Sequence, residues 1–226
     1  PGIGNLYAKL LTEYFKSAKQ LFSASKNDIS EIPGVGKVLL SNLCNYEIKS
    51  RALSRAENEI KFALRHGISI LTYDDQSYPS NLKECDDGPF ILYYKGVNGL
   101  GSRKVIAVVG SRKASAYGRD LTRKIIKDFE NKNLLVVSGL AYGVDSFAHK
   151  FSLQSNIPTI GVLGHGLDKI YPYKNREMAK KMIQNGGLIS EFMSLTNPDR
   201  ENFPKRNRII AGMSDATIVI EAAAKG

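Results

Sequence analysis

The sequence predicts an α/β protein, a parallel sheet wrapped by helices and preceded by a small all-helical domain. Three observations carry that expectation. Five short apolar runs, Val105–Val109, Leu134–Val137, Thr159–Leu163, Leu188–Ser190 and Thr217–Ile220, alternate with four segments of helical character, Tyr117–Lys132, Val144–Gln154, Asn175–Gln184 and Lys205–Met213. Strands and crossover helices of a parallel sheet are written that way. Residues 1–66 instead read as helices punctuated by Pro-Gly turns. Finally, 226 residues with 42% hydrophobic content suffice for one large domain and one small one.

Taken in order, Pro1-Gly2-Ile3-Gly4 is followed by Leu6, Ala8, Leu10 and Leu11, and Pro33-Gly34-Val35-Gly36 by Val38, Leu39, Leu40 and Leu43. Each copy has a tight turn opening an apolar-periodic segment, a duplicated helix-hairpin-helix pattern. Such turns can direct backbone N–H groups at a phosphate, or serve a purely structural bundle. A further helix is expected over 51–66, with Ala52, Ala56, Ile60, Ala63 and Leu64 on one side and Gly67 as its end. The expected domains are thus 1–66 and 67–226. Ile68–Leu71 and Phe90–Tyr94 read as strands or extended segments leading into the second.

Charge separates the two parts. Residues 1–95 carry a net +1 and residues 96–226 a net +9, together the +10 of the whole chain. An excess confined to one region points to a polyanion-binding surface there. No apolar run approaches the roughly 18 residues of a membrane span, and the first residues do not resemble a signal peptide, so a soluble, cytoplasmic protein is expected. Cys44 and Cys85 are far apart and the three histidines lie in separate segments, so neither disulfide nor metal site is expected.

In a parallel sheet, ligands bind beyond the carboxyl ends of the strands. Gly110-Ser111-Arg112-Lys113 follows the first run, Ser138-Gly139 the second, and Gly164 to Lys169 the third. Asn202 to Gly212 follows the fourth. Pro204 suits a first helical position, which would place Lys205, Arg206 and Arg208 in the first turn, the wrong sign for the helix dipole unless an anion sits there. Glycine and serine turns beside cations describe a phosphate-binding ridge. Phe203, just ahead of the cations, can stack on an unpaired base or staple the helix entry. No G-x-G-x-x-G follows the first strand and no P-loop occurs anywhere, so no nucleotide cofactor is expected. Asp145 and His149 stand one helical turn apart, but nothing in their spacing supplies a nucleophile or an oxyanion site.

With these residues in view, the chain resembles the DNA-processing protein A family, also called Smf. The resemblance is carried by Tyr78-Pro79 with Leu82 and Lys95-Gly96, by Val108 to Arg112, by Ser138 to Asp145 with Ala148-His149, by Gly164 to Pro172, by Ser190-Glu191-Phe192 and by Asn202 to Gly212. It implies a SAM-like amino-terminal domain and an extended Rossmann-like domain that binds single-stranded DNA without catalysis. It further implies protection of incoming strands and loading of the RecA recombinase in natural transformation, with a homodimer formed through the Rossmann-like domain. By matching position it implies DNA contacts from Arg112 and from Arg200, Lys205, Arg206, Asn207 and Arg208, with Phe203 stacked on a base; Lys169 and Lys174, which flank the third loop, are second-tier candidates. The ridge adds Gly110, Ser111, Lys113, Ser138 and Gly139 as candidates. Of the arginines, Arg206 is expected to matter most. Family sequences continue past the equivalent of Gly226, so contacts for dimerisation and for RecA are expected there in part.

A second class remains open at this stage. The same loops could hold a nucleotide phosphate for glycosidic hydrolysis, as in phosphoribohydrolases of related fold, with Glu191 or Glu221 as the carboxylate. Glu191 could equally pair with Arg206 or Arg208.

Overall fold

The computed structural model describes residues 3–98 and 103–222. The chain divides into two compact units, Pro1–His66 and Gly67–Gly226.

The first unit consists of α1 (Asn5–Phe15), α2 (Ala18–Ser23), α3 (Lys26–Ser30), α4 (Lys37–Cys44) and α5 (Tyr46–His66). Helix α5 starts five residues ahead of the expected boundary, with Asn45 accepting from the Ile48 N–H. Gly4 caps α1, and Gly36 of the second Pro-Gly turn caps α4. Pro1 and Gly2 of the first turn lie outside the described residues. The Tyr7 hydroxyl donates to the Gly34 carbonyl, tying the first helix to the second turn. Leu11, Leu21, Ile29, Ile32, Leu39 and Leu43 form the core.

The second unit is built on a seven-stranded sheet in the order β1-β2-β6-β5-β4-β3-β7. The strands are β1 (Ser69–Thr72), β2 (Ile91–Gly96), β3 (Lys104–Gly110), β4 (Leu134–Ser138), β5 (Thr159–Leu163), β6 (Gly186–Ser190) and β7 (Ala216–Ile220). The five expected strands pair in parallel, while β1 and β2 join antiparallel through β6, so the sheet is mixed. Two helices lie on one face, α6 (Ser80–Lys83) and α10 (Asn202–Gly212). Helices α7 (Ala116–Asp128), α8 (Val144–Gln154) and α9 (Arg176–Gln184) lie on the other.

The two-residue period of a strand explains the layering. Ala107, Leu135, Val137, Ile160, Val162 and Ile189 meet Ile209, Ile210 and Met213 of the α10 segment. Val108 and Val136, one residue out of phase, meet Val144, Ala148 and Phe151 of α8.

One boundary changes an inference. Helix α10 begins at Asn202 with Glu201 as its cap, so Pro204 is the third helical residue. Its missing N–H still costs nothing there, because the first-turn N–H groups have no partner within the helix. Lys205, Arg206 and Arg208 therefore fall in the second turn and beyond, where the dipole is weaker. The wrong-sign conflict expected from the sequence is correspondingly smaller.

Ile209 is fully buried between α10 and the sheet. Ile209→Ala should lower unfolding stability by about 2–5 kcal/mol, measured by urea denaturation; a loss below 1 kcal/mol would mean that α10 is not docked through this residue.

Candidate nucleic-acid interface

The carboxyl ends of β3, β4, β5 and β6 deliver four loops to one edge, and α10 starts at the same edge. Hydrogen bonds stitch the loops together. The Ser111 N–H donates to the carbonyls of Glu221 (2.7 Å) and Ile220 (3.3 Å), and the Val144 N–H donates to the Ser111 carbonyl at 3.1 Å. The Leu195 N–H donates to Asp168 at 3.0 Å, and Lys169 donates to the Asn197 side chain, also at 3.0 Å. Leu140 adopts φ +59°, a conformation rare for leucine. Asn175 secures it by donating to the Leu140 carbonyl at 2.8 Å.

Arg206 joins these elements from below. It is 4% exposed, and its Nη1 donates to the carbonyls of Gly139 at the end of β4 and Val162 in β5. Its guanidinium lies so close to Gly139 that a Cβ there would fall among its atoms. Burial lowers its pKa to about 10, with the Asp145 carboxylate acting in the opposite direction and Arg112 repelling it. At neutral pH the group is therefore still a cation. Asp145 accepts from the Ala141 N–H at 3.2 Å. Burial raises its pKa against the pull of Arg206.

The structure thus corrects three sequence expectations. Ser138, Gly139 and Arg206 were expected to face a ligand, yet all three are buried. The carbonyl of Gly139 and the guanidinium of Arg206 are committed to each other. Arg206 does share the buried side of α10 with Ile209 and Ile210 and does reach the strand ends, but there it meets backbone carbonyls. Arg208 is also engaged, donating to Glu191 and to the Asp87 carbonyl. Lys169 is drawn toward Asn197 and Asp168.

What remains outward is a set of polar and cationic side chains. Arg112, Lys113, Lys174, Arg200, Lys205 and Asn207 are all exposed. Phe203 is half-buried, with the Arg112 guanidinium 5.5 Å from its ring centroid and the Tyr171 ring centroid 6.0 Å away. Gly110 and Ser111 shape the loop that carries Arg112. Tyr171 escaped the sequence reading as a site residue; the one signal was its place beside Pro172 in the loop after β5.

The two carboxylates of the hydrolytic alternative have protein partners. Glu191 accepts from Arg208, and Glu221 accepts from the hydroxyl and N–H of Ser115 at the start of α7, which lowers its pKa. His149 is fully buried and donates from Nδ1 to the Thr159 hydroxyl at 2.7 Å, because that hydroxyl itself donates to the Val136 carbonyl. Among the described residues, no cluster of His, Cys, Asp or Glu could hold a metal ion, and no helix is long and apolar enough to cross a membrane.

A Rossmann-like sheet whose carboxyl edge carries exposed cations and no glycine fingerprint for a nucleotide defines the class of protein. The chain belongs to the DNA recombination-mediator protein A family, whose model matches residues 69–226. It is 34% identical to the Smf protein of Synechocystis over 99% of this chain and 56% of that one. It is 37% identical to the DNA processing protein of Bacillus subtilis over 70% and 54%. It thus spans about half the length of these two relatives. The crystal structure of DNA processing protein A from Streptococcus pneumoniae superposes with a TM-score of 0.82 at 32% identity, covering 100% of this chain and 76% of that one. DNA processing protein A from Helicobacter pylori, described for its single-stranded-DNA binding mode, gives 0.63 at 29% identity, with 70% and 71% covered.

Burial lowers the pKa of His149 from 6.5 to about 3, with Arg206 adding repulsion. In the unfolded chain it protonates near 6.5, so its contribution to stability is present above that pH and is lost as pH falls toward 3. Asp145, with a raised pKa, acts in the opposite sense, so the histidine is isolated by difference. Between pH 7 and pH 4.5 the loss of stability in His149→Gln should be smaller than in the unsubstituted protein by about 2–3 kcal/mol. Parallel pH profiles from chemical denaturation would show that His149 is not held neutral.

Proposed function

We propose that this chain binds single-stranded DNA along the carboxyl edge of its sheet, without catalysis. The observation that carries the reading is the half-buried ring of Phe203 beside exposed Arg112, at an edge whose loops and helix also carry exposed Lys113, Lys174, Arg200, Lys205 and Asn207 and no nucleotide fingerprint. Cations hold phosphates without regard to sequence, and an aromatic face accepts any base. The described binding mode of the H. pylori relative supports the reading, as does the engagement of Glu191 and Glu221 by protein groups.

On this reading Arg112, Lys113, Lys174, Arg200, Lys205 and Asn207 contact the strand. Arg206, Ser138 and Gly139 hold the loops in place, Arg208 anchors α10, and Lys169 is a secondary contact. Residues 1–66 form a SAM-like helix-hairpin-helix domain. In the full-length cytoplasmic protein the same surface protects incoming single strands and passes them to RecA during natural transformation and recombination, with a homodimer as the working form.

Titration with oligo-dT and with a duplex of equal length, at two or more salt concentrations, tests the proposal. Binding should favour the single strand and weaken with salt, by a logarithmic slope of about 0.7 for each phosphate neutralised. Arg112→Ala and Lys205→Ala should each reduce that slope by about 0.7. Undetectable oligo-dT binding at low salt, or slopes unchanged in both variants, would sink it.

A further inference from the structure

Phe203 is the ring that the single-strand reading assigns to a base, yet little of it is open. The Arg112 guanidinium stands over the ring at 5.5 Å, and the ring edge lies so near Gly164 that a Cβ there would come within 3.0 Å. Beside it, Tyr171 is 49% exposed, its ring centroid 6.0 Å from that of Phe203 and its plane tilted by only 30°. Tyr171 therefore extends the Phe203 surface outward. Its loop is secured on the protein side by buried Pro172 and by Asn175, which bonds the Leu140 carbonyl at 2.8 Å.

We infer that Tyr171 provides the outer face on which an unpaired base stacks, with Phe203 as its support and Arg112 placed for the adjoining phosphate. The inference rests on the single-strand reading above and adds to it a residue and a division of labour. A ring placed beside an already seated aromatic loses little conformational freedom on binding, and a tyrosine tolerates half-exposure in the free protein because one end of it is polar. Stacking of this kind uses the ring face and is indifferent to base identity. The hydroxyl is not needed for it.

The test compares the unsubstituted protein with Y171F, Y171L and Y171A on an oligo-dT strand and on an abasic strand of equal length. Y171F should bind dT like the unsubstituted protein. Y171L and Y171A should bind it roughly 5- to 150-fold more weakly, the range that base–aromatic stacking contributes. On the abasic strand all four should bind alike. The chain has no tryptophan and 11 tyrosines, so tyrosine emission reports contact directly; its quenching by dT should be smaller in Y171F at unchanged affinity. Equal dT affinity in Y171L and the unsubstituted protein, equal weakening on the abasic strand, or undiminished quenching in Y171F would each overturn the inference. If Y171A does not fold, Y171L and Y171F decide the matter. Failure of the unsubstituted protein to bind dT would instead overturn the single-strand reading itself.

Discussion

The edge of this sheet depends on one buried cation. Arg206 donates to the carbonyls of Gly139, just past β4, and Val162 in β5, and so fastens α10 to two neighbouring strands. Hydrogen bonds from a charged group contribute roughly 1.5–3 kcal/mol each. Removing a guanidinium from water costs several kcal/mol, which those bonds and the nearby Asp145 charge must offset. The balance holds only while every member stays in place. Asp145 keeps the β4–α8 loop closed by accepting the Ala141 N–H, and Asn175 holds Leu140 in its uncommon conformation. Loops fixed in this way can present side chains to a ligand without first having to be ordered.

Around that clasp the charges sort by depth. Inside are Arg206 and Asp145; at intermediate depth Arg208 is matched by Glu191. Outside are Arg112, Lys113, Lys174, Arg200 and Lys205 on loop or helix surfaces. Outer charges are screened and exchange partners easily, which suits a surface that meets a long polyanion. Arg112 also touches both systems, since it lies over Phe203 and repels Arg206. A phosphate near Arg112 would relieve that repulsion.

Much of the architecture is legible in the sequence. The runs at Val105, Leu134, Thr159, Leu188 and Thr217 all became parallel strands; those of β4, β5 and β6 are apolar on both faces because both are covered, whereas β7 is a largely exposed edge strand. Helix α8 appeared with the expected limits, Val144 to Gln154. The antiparallel attachment of β1 and β2 was not legible, since a short strand carries no record of its partner's direction. The start of α10 was missed by two or three residues because proline is tolerated throughout the first helical turn.

The site divides along the same line. Sequence by itself determined that glycine, serine and cationic residues collect at the strand ends, and that no nucleotide fingerprint is among them, because these follow from residue type and spacing. Only the tertiary structure decided which cations face outward. Helical phase puts Arg206 beside Ile209 and Ile210, but whether a guanidinium in that phase meets water or two carbonyls depends on strands far away in the chain. The pairing of Tyr171 with Phe203 is of the same kind: the loop after β5 and the first turn of α10, separated by α9 and β6, bring the rings together, and no local period encodes that meeting.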